Sequence, residues 1–366
     1  MTARIVLFGA TGYTGRRTAE EMVERGLRPV LAGRSASRLA PLAERLGDLE
    51  TATADVTDTA SVRDLVGKGD VLVSTVGPFG QLGEAALSAA VQAGSTYLDS
   101  TGEPPFIRRV FEEFGPLAEQ TGARLLTAFG NDYVPGNLAG ALALRLAGEQ
   151  AHRVEIAYHI TGGGRAQLFS RGTLVSLVGV ATEQVYTWRD GIRAEPAGAR
   201  MRTFPVAGHE RPALTIGSSE HYALPRLHPG LREVDVYLGW FGPLTRAVHL
   251  GSRVSDSLLR LPGARPLARR LGELAAGRVA EEPDATALER VTSHFIGAVF
   301  DAAGTPLSEV RLIAGDPYRL TARLLAWGAG WAAEHGVEAT GALGPVDAFG
   351  LDVLEAGAAE IGLHRP

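Results

Sequence analysis

The chain has 366 residues, 45% apolar and 21% charged, with a net charge of −5. This is ordinary globular composition; it argues against global disorder and against a whole-protein nucleic-acid binder. There is no Cys, which excludes disulfides, thiolate nucleophiles and Cys-ligated zinc or iron–sulfur sites. Lys68 is the single Lys among 36 basic residues, and its Gly-Lys-Gly loop is a poor place for the buried amine of Schiff-base chemistry.

The first half alternates strands and helices. Residues 4–8 (Arg-Ile-Val-Leu-Phe) form a short apolar run that reads as a buried parallel strand. Further strands are predicted near 29–33, 51–55, 70–75, 96–99 and 124–128, with helices near 16–25, 37–46, 61–66, 84–93 and 106–121. This alternation implies βαβ units and a parallel, doubly wound sheet of Rossmann type. After it the pattern changes. Residues 154–160, 184–188 and 234–237 alternate with period two, and 294–301 and 309–314 read as further strands. A second α+β domain with a mixed or antiparallel sheet is expected there. Helical segments follow at 320–335 and 346–361. The expected organisation is α/β, with a nucleotide domain at 1–138, a substrate and dimerisation domain at 139–338, and a C-terminal segment at 339–366 returning to the first domain. No leader and no transmembrane segment are predicted; the expected location is cytoplasmic.

Gly9, Gly12 and Gly15 give G-x-x-G-x-x-G between a strand and a helix. Without side chains they let the backbone approach a pyrophosphate, while the helix N-terminus offers unpaired N–H groups. Thr11, Tyr13 and Thr14 complete this loop as cofactor-binding candidates. NAD enzymes carry an acid at the end of the second strand to bind the ribose 2′-OH, but here the chain reads Gly33-Arg34-Ser35. A guanidinium can pair with a 2′-phosphate, so NADP(H) is expected over NAD(H), with Arg34 and Ser35 as its specificity residues. Asp55, ending the third strand, is placed either to meet the adenine edge or to cap a turn.

The motifs GATGYTGR (9–16), AGRS (32–35), STVGPFGQLG (74–83), YLDSTGE (97–103) and GNDYVPGNL (130–138) resemble the saccharopine dehydrogenase-like oxidoreductases. GDPYRLTA (315–322) and ALGPVDAFGLDVLEAG (342–357) are similar to the branch containing trans-acting enoyl reductases. The resemblance implies NADP(H), a Rossmann domain and a second domain supplying most of the substrate pocket. It also implies that Val76, Gly77, Pro78 and Phe79 pass the pyrophosphate and nicotinamide ribose. A homodimer and a small-molecule substrate, CoA- or carrier-linked in one version, fit the same family. The chain departs from the branch where GFDSVPSD is usual: Asn131, Tyr133, Gly136 and Asn137 replace Phe, Ser, Ser and Asp.

Reduction of a C=C or C=N bond needs a hydride and then a proton from a group within hydrogen-bond reach. Asp99 and Glu103 follow the fifth strand, and Asp132 and Tyr133 the sixth; these four are the proton-donor candidates, with Tyr13 able to reach in from the phosphate loop. Each has a structural alternative, the carboxylates as loop caps and Tyr133 as a core aromatic. The resemblance favours hydride addition to an activated, enoyl- or enone-type C=C of a lipid, terpenoid or polyketide-like intermediate in biosynthesis. An NADPH-dependent imine reductase, a non-catalytic NADP(H)-binding regulator, and an epimerase or dehydratase with tightly held cofactor stand beside it. The nine His show no metal-ligand spacing, so no metal site is expected. Gly162-Gly163-Gly164-Arg165 and Ser170-Arg171-Gly172-Thr173 read either as contacts to an anionic group or as a loop and a helix start. Residues 244–278 hold seven Arg against two acids, with Arg246, Arg253 and Arg260 on one helical side. That stretch reads as a lid or dimer arm, or as a basic amphipathic helix for peripheral membrane contact or an acidic partner.

Overall fold

The computed structural model describes residues 3–164, 168, 170, 184–196, 198–240, 242, 245, 246, 249, 270 and 282–366. The described residues form two compact units. The first comprises residues 1–102, 106–134 and 318–361, and the second 103–105, 135–317 and 362–366.

In the first unit, strands β1 (Ile5–Phe8), β2 (Val30–Gly33), β3 (Thr51–Thr53), β4 (Val71–Ser74), β5 (Thr96–Asp99) and β6 (Arg124–Leu126) are all parallel. Four of them, β1, β2, β4 and β5, are buried along their whole length, which explains their apolar, non-alternating sequences. The sheet order is β15-β6-β5-β4-β1-β2-β3, where β15 is the two-residue strand Gly341–Ala342 beside β6. The order reverses between β1 and β4, the crevice in which open α/β sheets hold their ligands. Helix α1 (Tyr13–Glu24) follows β1 directly.

The sequence places residues 139–338 in the second domain and 339–366 against the first; the contacts instead assign Tyr318–Ile361 to the first unit and Gly362–Pro366 to the second. The reason is the packing of the 19-residue helix Pro317–His335. A Cβ on its Gly328 would lie 2.5 Å from the Phe129 ring and 3.1 Å from Leu98, so the helix backbone rests directly on the end of the parallel sheet. Trp327 meets Phe349 edge-on at 5.0 Å, which ties the C-terminal segment to the same core.

The second unit is a mixed sheet, as expected. Its strands are β7 (Arg153–Thr161), β8 (Gln184–Arg189), β9 (Ile192–Pro196), β10 (Met201–Val206), β11 (His209–Thr215), β12 (Glu233–Leu238), β13 (Thr292–Phe300) and β14 (Pro306–Ala314). The order is β10-β11-β12-β7-β13-β14, with the β8–β9 hairpin paired to the start of β12. Only β7–β12 is parallel. The period-two pattern did not reveal β9, β10 and β11: they are short and polar, and Pro205 and Pro212 lie within β10 and β11. Their turns carry a signal, since Asp190-Gly191 and Ala207-Gly208 all have positive φ, as two-residue hairpin turns require. Ala157, Phe204, Val206, Ala213, Tyr237 and Ile296 form a buried cluster on this sheet.

Candidate active site

The glycine loop is shaped by contacts that no side chain could survive. Gly9 has φ +89°, and a Cβ there would lie 2.7 Å from Thr75 Oγ1. A Cβ on Gly15 would lie 2.2 Å from the Gly9 carbonyl oxygen, so these two glycines close the turn. Gly12 is exposed, and its added Cβ would meet only the Gly9 oxygen at 3.4 Å. It caps α1 without any side-chain hydrogen bond, so the first-turn N–H groups face outward for an anion. The Thr75 hydroxyl lies 3.2 Å from the carbonyl oxygens of Phe8 and Gly9 and fixes the loop from β4. Tyr13 packs edge-on against Tyr318 at 5.2 Å, with the Arg17 guanidinium 4.8 Å from its ring. Its ring is therefore engaged in packing at the start of α1.

Arg34 ends β2 exposed, and Ser35 begins the next helix with its hydroxyl 3.0 Å from Ser37 Oγ. Arg16 and Arg38 both donate to the Thr11 carbonyl, at 3.1 and 3.3 Å, which brings two more guanidinium groups to the loop. Of the two roles open to Asp55, the geometry displays turn capping: its Oδ1 accepts from the Thr57 backbone at 2.9 Å and hydroxyl at 2.8 Å. Those bonds hold its carboxyl below the usual range, and the nearby Arg34 charge adds to them. Along the β4 loop, Val76, Gly77 and Pro78 are at least partly exposed. Phe79 is buried against Phe106 at 5.7 Å, so its side chain packs into the core behind this loop.

The loops after β5 and β6 meet in this unit. Asp99 is fully buried. Its Oδ1 accepts from the backbone N–H of Thr101 and of Ala128, both at 2.9 Å, and its Oδ2 from the Thr127 hydroxyl at 2.8 Å. Burial raises its pKa to about 6 against the pull of those donors. Ala128 itself sits at φ +57°, a conformation rare for a residue with a Cβ, and the Asp99 carboxylate holds its N–H there. Asp132 is half-buried and accepts one hydrogen bond, from Asn131 Nδ2 at 2.9 Å. Burial pushes its pKa to about 7, with Asn131 opposing. Its Oδ2 lies 3.3 Å from where a Gly102 Cβ would be, so it stands over the backbone of the β5 loop. The Tyr133 hydroxyl reaches the same residue, 3.5 Å from the Gly102 carbonyl oxygen. The structure thus gathers Asp99, Asp132 and Tyr133, whereas Glu103 belongs to the second compact unit.

Sequence reasoning missed Asn131 and Thr321. Thr321 Oγ1 accepts from the Asn131 backbone N–H at 3.0 Å and anchors the β6 loop from 190 residues away. No local pattern announces a partner at that separation. Among the described residues no cluster of His, Asp and Glu could hold a metal ion, and no helix is long and apolar enough to cross a membrane. Arg165, Arg171–Thr173 and nearly all of the basic stretch 244–278 lie outside the described residues.

Residues 5–125 match the family model for the saccharopine dehydrogenase NADP binding domain. That stretch is about a third of the chain. A Mycobacterium tuberculosis protein that carries the name of a trans-acting enoyl reductase is 35% identical over 187 residues, 48% of this chain and 43% of that protein. A trans-acting enoyl reductase of Mycobacterium ulcerans is 36% identical over 140 residues, 37% of this chain and 34% of its own. The chain thus spans less than half the length of these curated relatives. Saccharopine dehydrogenase (L-Glu forming) of Saccharomyces cerevisiae shares the fold, with a TM-score of 0.64 at 14% identity over 100% of this chain and 99% of that one. The saccharopine dehydrogenase-like domain takes NADP(H), and the residues present fit it. Gly9 and Gly15 leave the cradle a pyrophosphate needs, the first turn of α1 carries no side-chain cap, and Arg34 is exposed just past the end of β2.

Proposed function

We propose that the chain is an NADPH-dependent reductase that adds a hydride and a proton across an activated, enoyl- or enone-type C=C bond. Its substrate is a lipid, terpenoid or polyketide-like biosynthetic intermediate, CoA- or carrier-linked in the carbonyl-thioester case. The observation that carries the reading is Asp132. It is a half-buried carboxyl with a pKa near 7, on a loop at the carboxyl edge of the nucleotide-binding sheet. NADPH, which the Gly9–Gly15 loop and Arg34 would hold, would supply the hydride for the β carbon. Asp132 then gives its proton to the α carbon and is left as a carboxylate, which water re-protonates after turnover. A proton donor must start protonated, so activity falls as pH rises through about 7. The names of the mycobacterial relatives support an enoyl acceptor. The reading also takes the chain as a cytoplasmic homodimer, which light scattering on the purified protein checks.

The test is an NADPH-oxidation screen against α,β-unsaturated thioesters and ketones, with cyclic imines in parallel. Turnover of the unsaturated carbonyls alone is the expected result. Turnover of imines alone would move the acceptor to C=N. Tight NADPH binding without oxidation of any acceptor would leave a binding protein.

A further inference from the structure

The β6 loop presents one polar atom that neither the fold nor the proton donor occupies. Asn131 is 5% exposed. Its backbone N–H is held by Thr321 Oγ1 at 3.0 Å, and its Nδ2 donates to Asp132 Oδ1 at 2.9 Å. Its Oδ1 is buried and accepts no hydrogen bond. A buried carbonyl oxygen without a donor loses its hydration uncompensated, a penalty that an apolar side chain at the same place would not incur. Turning the amide would not relieve the side chain, because the oxygen would then face Asp132 and Nδ2 would take the unpartnered place.

Whatever satisfies Oδ1 must bring an N–H or O–H. The loop lies at the edge of the sheet where nucleotides bind, and the reactive ring of NADP(H) carries one such donor, its carboxamide N–H. We infer that Asn131 is the residue that reads the nicotinamide carboxamide, its Oδ1 accepting the carboxamide N–H while its Nδ2 holds Asp132. One amide would then fix the ring and the proton donor with respect to each other. The inference rests on the reading of this edge as the reducing site.

Calorimetric titration with three ligands tests it. NADP+ carries the carboxamide; its 3-acetylpyridine analogue keeps the ring carbonyl but has no N–H; 2′,5′-ADP has no nicotinamide half. The native chain is expected to bind NADP+ about five- to tenfold more tightly than the acetylpyridine analogue, the worth of one neutral hydrogen bond in a buried site. Asn131→Leu is expected to abolish that preference by weakening NADP+, with 2′,5′-ADP bound as before. Equal affinity of the native chain for NADP+ and the analogue overturns the inference and leaves the reductase reading standing, as does a preference that persists in Asn131→Leu. Failure to bind any of the three ligands overturns the cofactor site itself. Should Asn131→Leu not fold, the two dinucleotides compared on the native chain still decide.

Discussion

Two carboxylates, one ending a strand of the parallel sheet and one following its neighbour, live in opposite surroundings. Asp99, at the end of β5, is fully buried and receives three hydrogen bonds from two loops. Asp132, six residues beyond the end of β6, is half-buried and receives one. Burial raises both, to about 6 and about 7, but the donors around Asp99 draw it back toward the charged form. Where environments push two acids apart, their roles divide. Asp99 spends its oxygens on holding Thr101, Thr127 and Ala128, so it builds the floor of the site. Asp132 keeps an oxygen over Gly102 and a pKa of about 7, which makes it the proton donor of the proposed reaction.

The comparison breaks first at Asp132. Asp132→Asn keeps the shape and removes the proton, and kcat is expected to fall by about 10²–10³-fold while the Kd for NADPH stays within about twofold. Pre-steady-state and equilibrium measurements on one preparation separate the two. A variant with near-native kcat would return the donor role to another group.

Asp99→Ala should act on the other side of the division. It orphans two buried N–H groups and a hydroxyl and frees Ala128 to leave its positive φ. The expected loss is about 2–4 kcal/mol of stability, read from urea unfolding. Asp99→Asn, which keeps half of the acceptors, should lose less. If Asp99→Asn unfolds like the native chain yet is catalytically dead, the roles assigned to the two acids are exchanged.

Arg34 lies on neither loop, which makes it a control on the comparison. Arg34→Ala is expected to narrow the preference for NADPH over NADH about tenfold, the loss of one charge-assisted contact of about 1.4 kcal/mol, with the pH profile unmoved. A shifted pH profile would mean that the nucleotide pocket and Asp132 are electrostatically coupled.

Much of this was legible in the sequence, and what was not has a physical reason. The glycine loop, the apolar strands and Arg34 are local features, set by neighbours within a few residues. The division between Asp99 and Asp132 is not local. It depends on Thr127 reaching back 28 residues to one acid, and on Thr321 fixing the loop that carries the other. Both acids read alike in sequence because each follows a strand and precedes polar residues. The helix Pro317–His335 misled the domain boundary for the same reason: its apolar side shows that it packs, but Gly328 against Phe129 shows on what.

Stability against pH sharpens the contrast further. The folded pKa of Asp132, about 7, stands above its unfolded value of 3.8. The native state therefore holds a proton that the unfolded chain has lost, and the stability this contributes is present below about pH 4 and gone above about pH 7. Asp132→Asn, which never ionises, should equal the native chain near pH 4 and exceed it at pH 8 by about 1–2 kcal/mol, allowing for the partial exposure of the group. Asp99 titrates in both proteins and cancels from the difference. A gain independent of pH would mean that Asp132 is not held protonated.

The smallest effect is expected at Tyr133, and it decides how far the division holds. Its ring is 2% exposed and its hydroxyl lies 3.5 Å from the Gly102 carbonyl, the outer limit of a hydrogen bond. Tyr133→Phe keeps the ring and removes one neutral hydroxyl, so it should lower kcat less than about threefold and stability by no more than about 1 kcal/mol. The ring would still fill its place beside Asp132. A hundredfold loss of kcat with unchanged stability would instead make the phenol the donor and reduce Asp132 to the group that orients it. The two cases differ in pH dependence: a carboxyl donor fails as pH rises through about 7, and a rate that does not follow that titration would point away from Asp132.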